Sequence, residues 1–301
     1  MRSLKYVVVL YIATTLTLLN SLTVNAEEKI QSPEIKVRYI GPGSASGVDK
    51  RNDYFIELLQ HALARSKKNY SLSMGSRGLS GLRQLYAVSD GTVDVGWSLT
   101  TDEAEQNLLP IRIPIDKGLI GWRLLLINKD DEKVFADVKT IDDLRAMVLG
   151  QGLDWPDTPI LRANHFTVQG VTNYSGIFKM LKQKRFRAFP RSILEIWGEQ
   201  EEQKELDFAI ENTLLIQYPA AFYYFVNRDN PVLAKDIELG LEAMIRDGEF
   251  DKIFNTNYAK YIKKAQLETR RVFKLDNPYL PKATPLNRPE LWLDVKKLQK
   301  R

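Results

Sequence analysis

Short apolar runs alternate with amphipathic helical stretches from residue 35 to residue 262, and this alternation limits what the chain can fold into more than any other feature. Residues 35–40 read as a strand, closed by the loop Gly41-Pro42-Gly43-Ser44-Ala45-Ser46-Gly47. Phe55, Leu58, Leu59 and Ala62 then fall at the i, i+3, i+4, i+7 spacing of a buried helical face. Residues 70–74 form a short strand. Leu79, Leu82, Leu85 and Tyr86 line a helix stopped by Asp90-Gly91, and residues 93–97 form a buried strand. The alternation continues through a strand at 119–128, a short helix capped by Thr140, a strand opening at Val148, a helix at 159–164 and a strand at 166–171. A helix at 174–184, a strand at 185–189 and a polar helix at 195–204 follow. An apolar strand at 220–227 leads into a helix with Leu233, Ile237, Leu241, Met244 and Ile245 inward, which ends at Gly248 before a second helix at 250–262. Strands separated by helices require right-handed crossovers between parallel strands, so the expected class is α/β with mostly parallel sheets. Two such series, split by 119–128 and rejoined through 220–227, imply two lobes linked by two crossing strands.

The expected division assigns 27–127 and the return at 220–265 to lobe one, 128–219 to lobe two, and 266–301 to an irregular arm. In that arm Asn277-Pro278, Leu280-Pro281, Thr284-Pro285 and Arg288-Pro289 cannot sustain a helix, yet Leu286, Leu291, Trp292 and Leu293 favour burial. An arm draped over the surface is therefore expected, with a disordered tail as the alternative.

Residues 1–26 carry Arg2 and Lys5, then an apolar stretch from Tyr6 to Leu19, then Val24-Asn25-Ala26. A basic start, a short apolar middle and small residues before a cut are the order of a secretory signal. The uninterrupted apolar run is shorter than the ~20 residues a membrane span needs, so cleavage after Ala26 is expected rather than anchoring. Removing 26 of 301 residues leaves 275, and losing Arg2 and Lys5 lowers the formal charge from +5 to +3. A freely diffusing monomer in the periplasm is the expected product.

The absence of cysteine excludes disulfides, thiolate metal sites, a cysteine nucleophile and a lipid anchor on an N-terminal cysteine. The glycine loop at 41–47 has neither the Gly-Lys-Ser/Thr ending of a phosphate loop nor dinucleotide spacing. No Gly-x-Ser-x-Gly elbow is present, and His61 and His165 are isolated. The basic runs at 182–187 and 296–301 read as solvated faces rather than a nucleic-acid surface, given export and a mature charge of +3. Neither cofactor nor metal is expected.

The order of elements, and especially Leu241-Glu242-Ala243-Met244-Ile245-Arg246-Asp247-Gly248-Glu249-Phe250-Asp251-Lys252-Ile253, resembles the C-terminal helices of bacterial extracellular solute-binding proteins of the polar amino acid type. Val93-Asp94-Val95-Gly96 resembles that family's first-lobe strand, and Val138-Lys139-Thr140-Ile141-Asp142-Asp143-Leu144 its entry into lobe two. The resemblance spans residues 34–262. It implies a two-lobe type II periplasmic binding fold that closes on a small polar solute and delivers it to the permease of an ABC-type importer, without enzymatic activity. A non-transport sensory or partner-binding role stays open, as does a dehydratase-like enzyme using Glu195 or Asp154.

Two departures from the family pattern stand out. Where members carry Ser/Thr-x-Thr-Pro-Glu-Arg, whose arginine grips the ligand carboxylate, this chain has Ser98-Leu99-Thr100-Thr101-Asp102-Glu103-Ala104. Where an acidic residue takes the ligand ammonium, this chain has Pro190-Arg191-Ser192. Candidate ligand contacts are therefore sought just beyond strand ends, where the cleft of such sheets opens. In lobe one they are Ser44, Arg77, Trp97, Ser98 and Thr100; in lobe two they are Asp154, Trp155, Thr158, Tyr174 and Arg191. Arg77 is a candidate carboxylate grip. Trp97 fits either a core or a pocket wall. Asp157 or Thr158 can cap the following helix, and Arg191 stands four residues before Glu195.

Overall fold

A computed structural model describes residues 33–41, 51–77 and 82–294. The leader at 1–26, the loop holding Ser44 and the basic run at 296–301 lie outside the described residues.

The first sheet contains β1 (Ile35–Gly41), β2 (Tyr70–Arg77), β3 (Val95–Leu99), β4 (Leu108–Ile111) and β11 (Phe222–Asn227), in the order β2-β1-β3-β11-β4. It packs against α1 (Arg51–Leu63), α2 (Leu82–Ser89), α3 (Asp102–Asn107) and the paired helices α9 (Pro231–Asp247) and α10 (Glu249–Ala265). Gly248, at φ 82°, turns the chain between those two helices, a conformation that costs glycine least. On α9 Gly240 lies against the Ala62 backbone of α1 so closely that a Cβ would collide with it.

The second sheet orders β12 (Arg271–Lys274), β10 (Leu214–Gln217), β5 (Trp122–Asn128), β8 (Ala188–Ser192), β6 (Leu149–Gly152) and β7 (Val168–Val171), with β9 (Phe208–Ile210) paired to β5. Its helices are α4 (Glu132–Ala136), α5 (Ile141–Arg145), α6 (Asp157–Ala163), α7 (Tyr174–Lys182) and α8 (Ile196–Glu202). Thr140 and Asp143 cap α5 reciprocally, the arrangement that satisfies two end amides at once.

Strands reached through a helix, such as β2 from β1 and β7 from β6, pair parallel. The strand that enters each sheet from the other lobe does not: β11 runs antiparallel to β3 and β4, and β5 antiparallel to β8 and β10. The crossover rule acts only on strands joined within one sheet, so these two incoming strands are free to reverse.

The crossings, residues 112–121 and 218–221, are hydrogen-bonded to each other. Tyr218 donates to the Gly121 carbonyl at 3.1 Å, and Ile115 donates to the carbonyl of Phe222, where the second crossing enters β11, at 2.9 Å. Gly121 lies against the Tyr218 carbonyl, where any Cβ would clash. Each crossing also borders the carboxyl end of a strand. Thr100 after β3 donates to the Ala221 carbonyl at 2.9 Å, and Ser192 ending β8 donates through Oγ to the Leu119 carbonyl at 3.0 Å.

The arm departs from the irregular course expected of it. Residues 271–274 form β12, parallel to β10 in the register Leu214 with Arg271, because the edge of the second sheet offers unpaired backbone groups there. Beyond β12 the chain is irregular but anchored. Asn277 donates to the Pro219 carbonyl of one crossing at 2.8 Å, and Leu293 donates to the Lys117 carbonyl of the other at 2.9 Å. Trp292 stacks over Gly118, and Arg288 pairs with Glu242 of α9 at 2.5 Å. The arm thus runs from the second sheet, past both crossings, to a helix of the first lobe. No described helix is long and apolar enough to cross a membrane.

Candidate ligand-binding site

At the carboxyl end of the second sheet five charged side chains meet. The register of β5 against β8 pairs Leu124 with Arg191 and Arg123 with Ser192. Because side chains alternate across a strand, the two arginines fall on opposite faces of the same sheet end. Arg123 is fully buried in the apolar β5; it pairs with Asp157, the first residue of α6, and donates to Tyr218 Oη at 2.9 Å. Arg191, on the other face, holds Glu199 of α8 through two donors at 2.6–2.9 Å, and Tyr174 Oη donates to the same carboxylate at 2.6 Å. Glu195, three residues beyond β8, joins the two halves. It lies 3.3 Å from Arg123 and 3.1 Å from Arg191, and accepts from the Ser192 amide at 3.1 Å. Burial pulls the Arg191 guanidinium down, but Glu195 and Glu199 outweigh it and hold the group above its ordinary range. Arg123 shows the same balance, with Asp157 the strongest opposing partner.

Pro190 permits this layout. It stands within β8 opposite Leu125 of β5, and β8 meets β6 only where Ala188 faces Leu149. The missing N–H of Pro190 therefore costs no ladder bond on the β6 side. The sequence places this strand at 185–189; the structure moves it to Ala188–Ser192, because Lys184, at φ 56°, begins a turn out of α7. Arg191 is consequently inside the strand rather than past it.

An aromatic shelf lies beside the ionic cluster. Trp155, between β6 and α6, sits directly on Gly152, where a Cβ would strike its ring. Its centroid is 6.1 Å from those of Tyr174 and Phe189, and the Arg191 guanidinium lies 4.7 Å from it. Trp155 is partly exposed and Tyr174 is 43% exposed.

The other candidates take different places. Thr158 is buried, its hydroxyl donating to the Gly152 carbonyl at 2.6 Å, and Asp154 is exposed. Neither Asp157 nor Thr158 caps α6, which begins after Pro156 without a side-chain cap; the buried charge of Arg123 draws the Asp157 carboxylate away from the helix amides. In lobe one Trp97 is a core side chain, packed against Tyr39, Phe55 and Tyr224 and donating to Asn52 at 3.1 Å. Ser98 is buried in β3; Thr100, at its end, is buried and donates to Glu105 at 2.8 Å. Arg77 is the last residue of β2, opposite Gly41.

Arg123, Tyr218 and Glu199 escape the sequence reading. Arg123 stands inside an apolar strand, and a charged residue in such a run is itself the available signal, since buried charges need partners. Gln151, in β6, is buried with neither amide atom hydrogen-bonded to protein.

A pocket of about 190 Å³ lined by Ile35, Tyr70 and Asn230 among others lies at the amino end of β1, away from both crossings.

No protein-family model matches the chain, and no curated protein matches it in sequence. Solved structures do resemble it. An ancestral arginine-binding protein bound to arginine is 17% identical, with a TM-score of 0.53 over 74% of this chain and 98% of its own. A Salmonella typhimurium periplasmic binding protein of high arginine specificity is 14% identical, with a TM-score of 0.52 over 74% and 99%. An ancestral amino acid-binding protein that is a precursor of cyclohexadienyl dehydratase is 12% identical, with a TM-score of 0.51 over 74% and 95%. At these identities the likeness is one of architecture: the chain has the two-lobe fold of amino acid-binding periplasmic proteins.

Proposed function

We propose that this chain is an exported solute-binding protein whose two lobes close on a small molecule, and that it serves a membrane permease as its receptor. The observation carrying this reading is the placement of the crossings. Both border the carboxyl ends of their sheets, at Thr100 and at Ser192, and ligands of open α/β sheets sit beyond those ends. Closure about two short linkers is the hinge motion such geometry allows. The fold shared with amino acid-binding proteins supports the same reading. Residues 1–26 act as the export signal in this scheme, and Trp155, Tyr174 and Arg191 form lobe two's share of the site, the Arg191 guanidinium lying against the Trp155 ring and sharing Glu199 with the Tyr174 hydroxyl.

The test is a thermal-shift screen of the purified protein against amino acids, organic acids, amines and sugars. A solute that binds only the native state stabilises it by about 2.7 kcal/mol at a hundred times its dissociation constant. A screen in which nothing shifts the melting temperature would sink the proposal. Mass spectrometry of the exported product checks the leader, with an N-terminus at Glu27 expected.

A further inference from the structure

We propose that residues 271–293 form a strap across the hinge, holding the first crossing in one backbone form and so setting how readily the two lobes move. The proposal rests on reading the crossings as hinges and adds what restrains them. The chain passes between the lobes more often than two hinges require. After α10 it turns at Gln266, φ 49°, back towards the second sheet. Buried Arg270 fixes that turn, donating to the carbonyls of Ala265 at 2.6 Å, Glu211 at 2.6 Å and Leu214 at 2.9 Å. β12 then secures residues 271–274 to lobe two, and the Asp276 backbone exchanges hydrogen bonds with the Asn164 amide at 2.7 and 3.1 Å. The chain next returns to lobe one, where Arg288 takes both oxygens of Glu242 on α9. Pro278 and Pro281 stiffen the span between these two anchorages.

The strap lies on the strained part of the first crossing. Lys117 and Gly118 both hold positive φ, 52° and 75°, a region unfavourable to any residue with a Cβ. Three contacts from the arm fall on these two residues. Leu293 donates to the Lys117 carbonyl at 2.9 Å, Lys117 Nζ donates to the Glu290 carbonyl at 2.9 Å, and Trp292 lies on Gly118, where a Cβ would strike its ring. Asp251 of α10 pairs with the same ammonium at 2.6 Å. A left-handed lysine persists only where its surroundings hold it. Rotation of one lobe against another is absorbed as backbone change at a few linker residues, and a strained pair released from its contacts is where such change costs least. One end of the arm thus sits on the residues best placed to turn, while the other is fixed to the opposite lobe.

The test reads the separation of the lobes directly and needs no ligand. The chain has no cysteine, so Asp102→Cys in lobe one and Thr172→Cys in lobe two, both exposed, give a single pair of spin-label sites on the purified full chain. Pulsed dipolar spectroscopy then yields their distance distribution. Two changes loosen the strap: Trp292→Ala uncovers Gly118, and Arg288→Gln, at a half-buried surface position, frees the lobe-one anchorage with little risk to folding. Each is expected to broaden the distribution or add a second distance, Trp292→Ala the more. Leu233→Ala, a core truncation at the pocket beside the amino end of β1, should lower stability and leave the distribution as it is. Unchanged distributions in both strap variants overturn the proposal, as does equal broadening by Leu233→Ala, which would make the effect a general loosening. A solute found in the thermal screen beside an unresponsive strap leaves solute binding standing alone. A responsive strap in a protein that no solute stabilises removes solute binding and keeps the strap.

Discussion

The two lobes share a topology at their cleft edges but hold those edges together by opposite means. In the middle of β3 in lobe one, Trp97 is locked by rings, with Phe55 at 5.8 Å and Tyr224 at 6.1 Å between centroids. At the end of β8 in lobe two, Arg191 and Arg123 are locked by three carboxylates. Packing is tolerant of chemistry and sensitive to volume; a buried ionic cluster is the reverse. The largest predicted effect follows directly. Arg191→Leu should cost about 3–5 kcal/mol in urea unfolding, because it leaves Glu199 buried without its partner. Arg191→Leu combined with Glu199→Leu should cost less than the single change, since the pair is removed together. Arg191→Lys should restore little, as an ammonium cannot reproduce the two-pronged contact. Trp97→Phe in lobe one should lose only part of what Trp97→Ala loses. Additive losses in lobe two would mean that packing, not charge pairing, holds that edge as well.

A second contrast sets Asp116, in the crossing at 112–121, against Asp157. Both are buried, yet Asp157 is paired with a guanidinium while Asp116 accepts from backbone amides, those of Gly118 and Ile120 at 3.0 and 2.8 Å. Burial pushes the Asp116 carboxyl up to about 7, against the pull of those amides and of the charge on Arg123. Its ordinary value is 3.8. Between these two values the folded state binds the extra proton, so this residue's contribution falls as pH rises from about 4 to about 7 and is constant above that. The loss reaches up to about 4 kcal/mol, taking 1.36 kcal/mol per unit. Stability measured from pH 4 to 8 should show that decline in the wild type and not in Asp116→Asn. Parallel pH profiles for the two proteins would contradict it.

The alternating pattern made the architecture legible because strand and helix periods differ and each segment keeps its own. The strands and helices that were read, and the cap at Thr140, follow from local chemistry of that kind. The first crossing does not, because residues 119–128, expected to cross and counted to lobe one through 127, hold β5 of the second sheet from Trp122, and the short strands β4, β9 and β10 were not read at all. The ionic cluster was not legible, because its members lie far apart in the chain: Arg123, Asp157, Arg191, Glu199 and Tyr218 meet only through sheet register. Arg191 and Glu195 do stand at the spacing of a helical pair, but that spacing says nothing of burial, which is what makes the contact strong. Pro190 concealed the strand containing Arg191, since proline argues against a central strand unless the neighbouring pairing has ended. The arm was read by its prolines, which describe 275–294 well and hide the four residues of β12 before them.

That arm supplies the third prediction. Trp292 seals Gly118, whose φ is 75°, and bonds through Nε1 to the Pro285 carbonyl at 3.0 Å. Trp292→Ala should cost about 2–3 kcal/mol, less than the ~3–5 kcal/mol for truncating a fully buried aromatic side chain, because the ring is only partly buried. Hydrogen exchange should quicken at residues 116–121 in the variant and stay unchanged in α6 and α7. Faster exchange in lobe two as well would mean that the arm supports the whole sheet rather than the crossing.

The smallest effect decides what lobe one adds to the cleft. Thr100 closes β3 beside the second crossing, and its hydroxyl donates to Glu105 at 2.8 Å. Glu105 also pairs with Arg112, so its carboxylate keeps a partner when the threonine is changed. Thr100→Val preserves the side-chain shape and removes one hydrogen bond, which should lower stability by about 1 kcal/mol. If the hydroxyl serves only Glu105, affinity for a solute found in the screens should stay within a factor of two of the wild type. A tenfold loss of affinity would instead make Thr100 a ligand contact. Polar recognition by the first lobe would then join the contacts proposed for Trp155, Tyr174 and Arg191 of the second.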